Sequence, residues 1–208
     1  MKIFQQETGI VVPLYRSNID TDAILPKEYL KKINKIGFGE FLFDDWRYLP
    51  DRSPNPDFIL NEKRFVGAKF LLAGGNFGCG SSREHAVWAL DDYGIRCVIA
   101  PSFGDIFYSN CFKNGVLPAL VSQEDADALC LLAEEAETLE LMVDLVAREI
   151  VVEPKRFARV FSFQVDDFRR QTLLEGLDDI AQTLRHADKI QAFESARLAE
   201  FPWLVIQK

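Results

Sequence analysis

Residues 74–90 read G-G-N-F-G-C-G-S-S-R-E-H-A-V-W-A-L and follow directly on the apolar stretch A-K-F-L-L-A at 68–73. A short apolar run bounded by glycines predicts a buried strand. Glycines at 74, 75, 78 and 80 then allow positive φ and a close approach of backbone to a ligand. Ser81-x-x-Glu84 fits a capping box, which predicts a helix from there to about Tyr93 with Gly94 as its stop. The order is strand, glycine loop, helix N-terminus. Unpaired backbone N–H groups, the positive end of a helix dipole and the guanidinium of Arg83 meet at one point, a combination that favours a carboxylate or phosphate ligand.

Two phosphate signatures with glycines before a helix fail here. Gly75-x4-Gly80 has Walker A spacing, but Ser81 stands where that loop requires lysine. The dinucleotide fingerprint starting at Gly78 would need a third glycine where Arg83 stands.

Elsewhere, Thr8-Gly9 reads as a turn before a first strand at 10–14. Asn18 to Asp22 packs turn formers and two carboxylates before a helix expected near Pro26. The aromatic piece at 37–48 suits either a core hairpin or a patch facing a partner. Beyond the central helix come a strand at 95–100, a helix at 103–113 and a strand at 117–121. A helix then runs from Ser122 to about Glu137, followed by a hairpin at 139–152, a strand at 161–165, and helices at 166–174 and 178–198. Alternating strands and helices predict an α/β fold with an at least partly parallel sheet and ligands beyond the strand C-termini, where residues 74–83 lie.

The length of 208 residues, with 48% hydrophobic and 27% charged side chains, points to one folded domain over 1–208. A net charge of −8 argues against nucleic acid and anionic membrane surfaces, and leaves local cations such as Arg83 to attract any dicarboxylate. No apolar signal core opens the chain and no run reaches membrane-span length, so a cytoplasmic protein is expected. Cys79, Cys97, Cys111 and Cys130 show no C-x-x-C pair and no nearby histidine spacing, so no metal site is expected from them.

The run N-F-G-C-G-S-S-R-E-H-A resembles the active-site loop of the aconitase superfamily, in the form carried by small subunits of 3-isopropylmalate dehydratase. N-I-D-T-D-A-I-L-P at 18–26, G-F-G-E-F-L-F-D-D-W-R at 37–47, A-P-S-F-G-D-I-F-Y-S-N at 100–110 and G-L-D-D-I-A-Q-T-L at 176–184 extend the likeness over nearly the whole chain. Gly74-Gly75, where an acidic residue is frequent, and Val87, where proline is frequent, depart from the pattern. The resemblance implies a single swivelling β/β/α domain, a mixed sheet with flanking helices like the C-terminal swivelling domain of aconitase.

It further implies a hydro-lyase that moves water between neighbouring carbons of a hydroxy acid. Ser81 would be the base, acting as an alkoxide, with Asp22 beside it in the catalytic set. Ser82, Arg83, Thr21 and Leu30 would bind substrate, with Leu25 and Tyr29 as further apolar candidates, and Asn76 and His85 would support them. The same serine also suits a plain helix cap, and His85 a core position. Superfamily chemistry uses a [4Fe–4S] cluster held by three cysteines. This chain lacks such a set, so the cluster is expected on a large iron–sulfur subunit, with a small dicarboxylate as substrate. Substrates of the citraconate, methylmalate or homoaconitate type, the last kept open by Lys31 and Lys32, and a non-catalytic anion-binding scaffold, stay open at this stage.

Overall fold

The apolar stretch ahead of the glycine loop becomes an interior strand. The computed structural model describes residues 1–31, 36–81, 83–152 and 158–204. Its strands are β1 (Gln6–Leu14), β2 (Phe70–Ala73), β3 (Cys97–Ala100), β4 (Leu117–Leu120), β5 (Leu139–Asp144), β6 (Glu149–Val152) and β7 (Arg159–Ser162). The helices are α1 (Thr21–Ile24), α2 (Asp44–Arg47), α3 (Glu84–Tyr93), α4 (Asp105–Asn114), α5 (Gln123–Glu135), α6 (Asp167–Glu175), α7 (Asp179–Leu184) and α8 (Ala187–Glu200).

Among the described residues the strands form one seven-stranded sheet in the order β4-β3-β2-β1-β5-β6-β7. The first four are parallel and β1, β5, β6 and β7 run antiparallel, which is the mixed sheet expected. β2 is buried along its whole length because both faces are covered: Leu71 and Ala73 enter one core, Phe70 and Leu72 the other. Burial on both faces is why its sequence is continuously apolar rather than alternating. The first core takes Ala86, Val87, Ala89 and Leu90 of α3; the second takes Ala126, Leu129, Cys130 and Ala133 of α5. The sheet also curls, since the Gln164 N–H, just past β7, donates to the Leu120 carbonyl of β4 at 2.8 Å.

Helix stops fall where glycine permits them. Gly94 (φ 110°) and Gly115 (φ 81°) end α3 and α4 in the left-handed conformation. At the strand N-terminal end, buried Arg96 donates to the carbonyls of Gly115 (2.9 Å) and Ile3 (3.0 Å) beside the carboxylates of Glu7 and Asp91. A cation buried there is tolerated because it is paired and hydrogen-bonded.

Several expectations need correction. Thr8 and Gly9 are no turn: they pair with Met142 and Leu141, and β1 starts earlier, because β5 supplies a ladder partner. The aromatic piece is neither hairpin nor exposed patch. It forms short helical turns with Phe38 and Phe43 fully buried, held by Arg47 donating to the carbonyls of Gly39 (3.0 Å) and Leu42 (3.2 Å). The long C-terminal helix is two, because the His186 N–H bonds back to the Thr183 carbonyl (3.0 Å), a three-residue step that ends α7.

The chain divides into two compact units, Met1–Gly176 and Leu177–Lys208. The second contains α7, α8 and a short 3-10 turn (Pro202–Leu204), with the Arg197 guanidinium over the rings of Phe193 and Phe201. Among the described residues no helix is long and apolar enough to cross a membrane.

Leu71, fully buried in mid-sheet, is the direct probe of this core. Leu71→Ala is expected to cost about 2–5 kcal/mol, read as a lower urea midpoint at unchanged slope.

Candidate active site

Three loops leave the C-terminal ends of β1, β2 and β3, and hydrogen bonds knit them side by side. On the β1 side the Gly74 N–H donates to the Arg16 carbonyl (3.0 Å), Asn18 N–H to Gly75 (2.8 Å), Gly78 N–H to Ile19 (2.7 Å) and Thr21 N–H to Cys79 (2.9 Å). On the β3 side the Phe77 N–H donates to the Ser102 carbonyl (3.1 Å), Gly104 N–H to Phe77 (2.9 Å) and Asn76 N–H to Ser102 Oγ (2.7 Å). Pairing thus continues past the sheet, as the isolated bridges Asp20–Cys79 and Phe77–Phe103 record. The glycine loop is the middle member, at the place where open parallel sheets bind ligands.

Close approach requires glycine at Gly74, Gly78 and Gly104. A Cβ on Gly78 (φ 72°) would stand 2.2 Å from the Phe107 ring, and one on Gly104 would stand 2.6 Å from the Gly78 carbonyl oxygen. The loop therefore lies tightly on the start of α4, in a conformation L side chains rarely adopt.

Thr21 and Asp22 touch two of the loop residues expected to carry chemistry, Ser81 and Arg83. Thr21 is 1% exposed and its Oγ1 donates to the Ser81 carbonyl at 3.0 Å. Asp22 Oδ1 accepts from Arg83 Nη1; the arginine side chain is 14% exposed and the aspartate 51%. An arginine largely withdrawn from water and tied at one nitrogen keeps further donors in its planar fork for a second carboxylate. Ser81 is exposed at the end of the loop.

The expected capping box does not form. α3 begins at Glu84 with Arg83 as its N-cap residue, extended at φ −131° and ψ 104°, so Ser81 lies two residues outside the cap position. The Glu84 carboxylate accepts from Asn114 Nδ2 (2.9 Å), and Asn114 Oδ1 accepts from Trp88 Nε1 (2.9 Å), fastening the first turns of α3 to the end of α4.

The other expected residues scatter. Asn76 is exposed on the loop, its Nδ2 donating to Asn18 Oδ1 at 2.8 Å. His85 packs against the rings of Trp88 (4.4 Å) and Phe38 (5.6 Å). Leu30 is half-buried and packs on the first core, Leu25 is fully buried in it, and Tyr29 stacks on Phe41 while its hydroxyl donates to Asp44 (3.0 Å). Burial and the Asp44 carboxylate raise the Tyr29 pKa. Lys31 is exposed, and Ser82 and Lys32 lie outside the described residues. Reading the sequence by pattern missed Asn18 and Ser102 as loop partners. Both stand inside the motifs at 18–26 and 100–110, and that was the one signal for them.

The chain's thiols do not suit an iron–sulfur cluster. Cys97 on β3, Cys111 on α4 and Cys130 on α5 are buried in packed cores. Burial pushes the Cys97 and Cys111 thiols well up, and pushes Cys130 to about 11 with help from Glu134. Cluster ligands are thiolates, which such surroundings disfavour. Among the described residues no three His, Cys, Asp or Glu side chains are grouped to hold a metal ion.

Comparison with known proteins adds identity to this geometry. Residues 1–124 match the family described as Aconitase C-terminal domain, and residues 179–206 match the family described as the C-terminal domain of the 3-isopropylmalate dehydratase small subunit. A protein of Marinobacter nauticus named 3-isopropylmalate dehydratase small subunit is 52% identical over 213 residues, covering 98% of each chain. One of the same name from Rhodopirellula baltica is 56% identical over 198 residues, covering 95% of this chain and 100% of the relative. The crystal structure of 3-isopropylmalate dehydratase from Methanocaldococcus jannaschii matches with a TM-score of 0.65 at 26% identity, covering 91% of this chain and 99% of that one.

The half-buried Cys79, unlike the three core thiols, is open to reagents. A disulfide reagent is expected to label Cys79 alone in the native protein and all four cysteines after denaturation. Rapid native labelling of a second thiol, located by peptide mass, would contradict this placement.

Proposed function

The chain belongs to the family of 3-isopropylmalate dehydratase small subunits, and from that premise we propose how it contributes to catalysis. It is the small subunit of a heteromeric hydro-lyase that interconverts 2-isopropylmalate and 3-isopropylmalate through isopropylmaleate in leucine biosynthesis. The observation that best supports a chemical role is the Thr21-Asp22 dipeptide, which engages the Ser81 carbonyl with one side chain and the Arg83 guanidinium with the next.

In this proposal Arg83 grips one substrate carboxylate through the donors that Asp22 leaves unused, and Asp22 fixes the plane of the fork. Ser81, as alkoxide, takes the carbon-bound proton next to a carboxylate; its hydroxyl returns a proton when water adds back at the neighbouring carbon. A serine anion is poor in water, but the guanidinium of Arg83, two residues on, favours negative charge there. Thr21, being buried, serves by holding the Ser81 backbone from behind. Leu30 is the candidate contact for the isopropyl arm.

Dehydration also calls for a Lewis acid, and this chain's residues do not fit the superfamily's [4Fe–4S] cluster. We place that cluster on a large subunit, over which residues 1–208 act as the swivelling domain, in the cytoplasm.

The test is hydration of isopropylmaleate, followed by ultraviolet absorbance, with the chain alone and then mixed anaerobically with a cluster-loaded large subunit. Activity is expected only in the mixture. Ser81→Ala is expected to lower kcat by about 100-fold or more with assembly intact. Arg83→Lys keeps the charge but loses the fork, and a KM rise of about tenfold is expected. Turnover by the Ser81→Ala complex at the parent rate would remove the serine from the mechanism.

A further inference from the structure

We propose that Asn18 and Asn76 are a positioning pair, an amide clasp that fixes the entry of the glycine loop and thereby the place of Ser81. The inference rests on the catalytic reading of Ser81 given above. Asn18 and Asn76 lie on neighbouring loops, and Asn76 Nδ2 donates to Asn18 Oδ1 at 2.8 Å. Both backbones are left-handed, at φ 58° and 59°. That conformation is uncommon outside glycine, although asparagine tolerates it better than most residues.

Glycine would meet this backbone demand with less strain, and the same loop uses it at Gly78 and Gly80. Two asparagines where glycine would serve the backbone point to a use for the side chains, and the side chains meet each other. Each residue is also anchored through its own N–H, Asn18 to the Gly75 carbonyl (2.8 Å) and Asn76 to Ser102 Oγ (2.7 Å). The clasp therefore links the loop after β1, the glycine loop and the loop after β3. Both asparagines are exposed, so their amides exchange readily with water and the bond contributes little to folding. What it adds is register at the start of a loop whose far end carries Ser81.

Arg83 is held separately by Asp22. Loosening the clasp should therefore disturb proton transfer at Ser81 more than binding of the carboxylate. Neither asparagine touches the reacting atoms in this account; both act through the loop.

The test uses the assembled complex with Asn18→Gly, Asn76→Gly and the double variant, which keep the left-handed backbone and delete the amides. Each single variant is expected to lower kcat about tenfold while KM stays within about twofold. The double variant should be no worse than either single one, because one contact is shared. Asn18→Asp should restore most of the activity, since its carboxylate accepts the same N–H. Unchanged thermal unfolding, and elution together with the large subunit, establish that the variants fold and assemble. Parent-like kcat in the glycine variants, additive losses in the double variant, or a raised KM at constant kcat would each overturn the clasp. Ser81→Ala assayed alongside separates the claims. If it keeps parent turnover, both readings fall; if it is inactive while the glycine variants match the parent, the clasp alone falls.

Discussion

The site depends on the pinning of one loop between two others. The glycine loop after β2 hydrogen-bonds on one side to the loop after β1 and on the other to the loop after β3, so the sheet's pairing carries on beyond its strands. Glycine is needed where the layers touch, at Gly78 under Phe107 and at Gly104 against the Gly78 carbonyl. A loop held this closely can present a serine and an arginine in one arrangement without a ligand to organise it, which in the proposed mechanism reduces the reorganisation left for the chemical step.

Placement of charge follows from that pinning. Arg83 is mostly withdrawn from water, and the cost of that withdrawal is offset by Asp22 on α1. Because Asp22 follows Thr21, and Thr21 is fixed by bonds to Cys79 and Ser81, the ion pair inherits the register of the loops. In the proposed mechanism substrate capture and proton transfer are thereby tied to one short segment at the exit of β1, while Cys97 and Cys111 lie buried in the cores.

Much of this was legible in the sequence. Short apolar runs marked β2, β3 and β4, the stops at Gly94 and Gly115 were readable, and the strand–glycine loop–helix order pointed to the candidate site. Errors arose where distant partners decide local structure. Ser81-x-x-Glu84 has capping-box spacing, but the helix starts at Glu84 with Arg83 extended at its N-cap and paired with Asp22. Thr8-Gly9 looks like a turn until β5 pairs with it. The left-handed backbones at Asn18 and Asn76 and the closure of the sheet at Gln164 depend on tertiary register, which no local window contains.

The central claim is that Ser81 itself removes and returns the substrate's carbon-bound proton. Its most direct test is deuterium incorporation into 3-isopropylmalate by the reconstituted complex in deuterated water, read by proton magnetic resonance. The parent complex is expected to exchange the proton next to the carboxylate, and the Ser81→Ala complex to bind substrate without exchanging it. Exchange by Ser81→Ala at the parent rate would contradict the account and assign the base to another group.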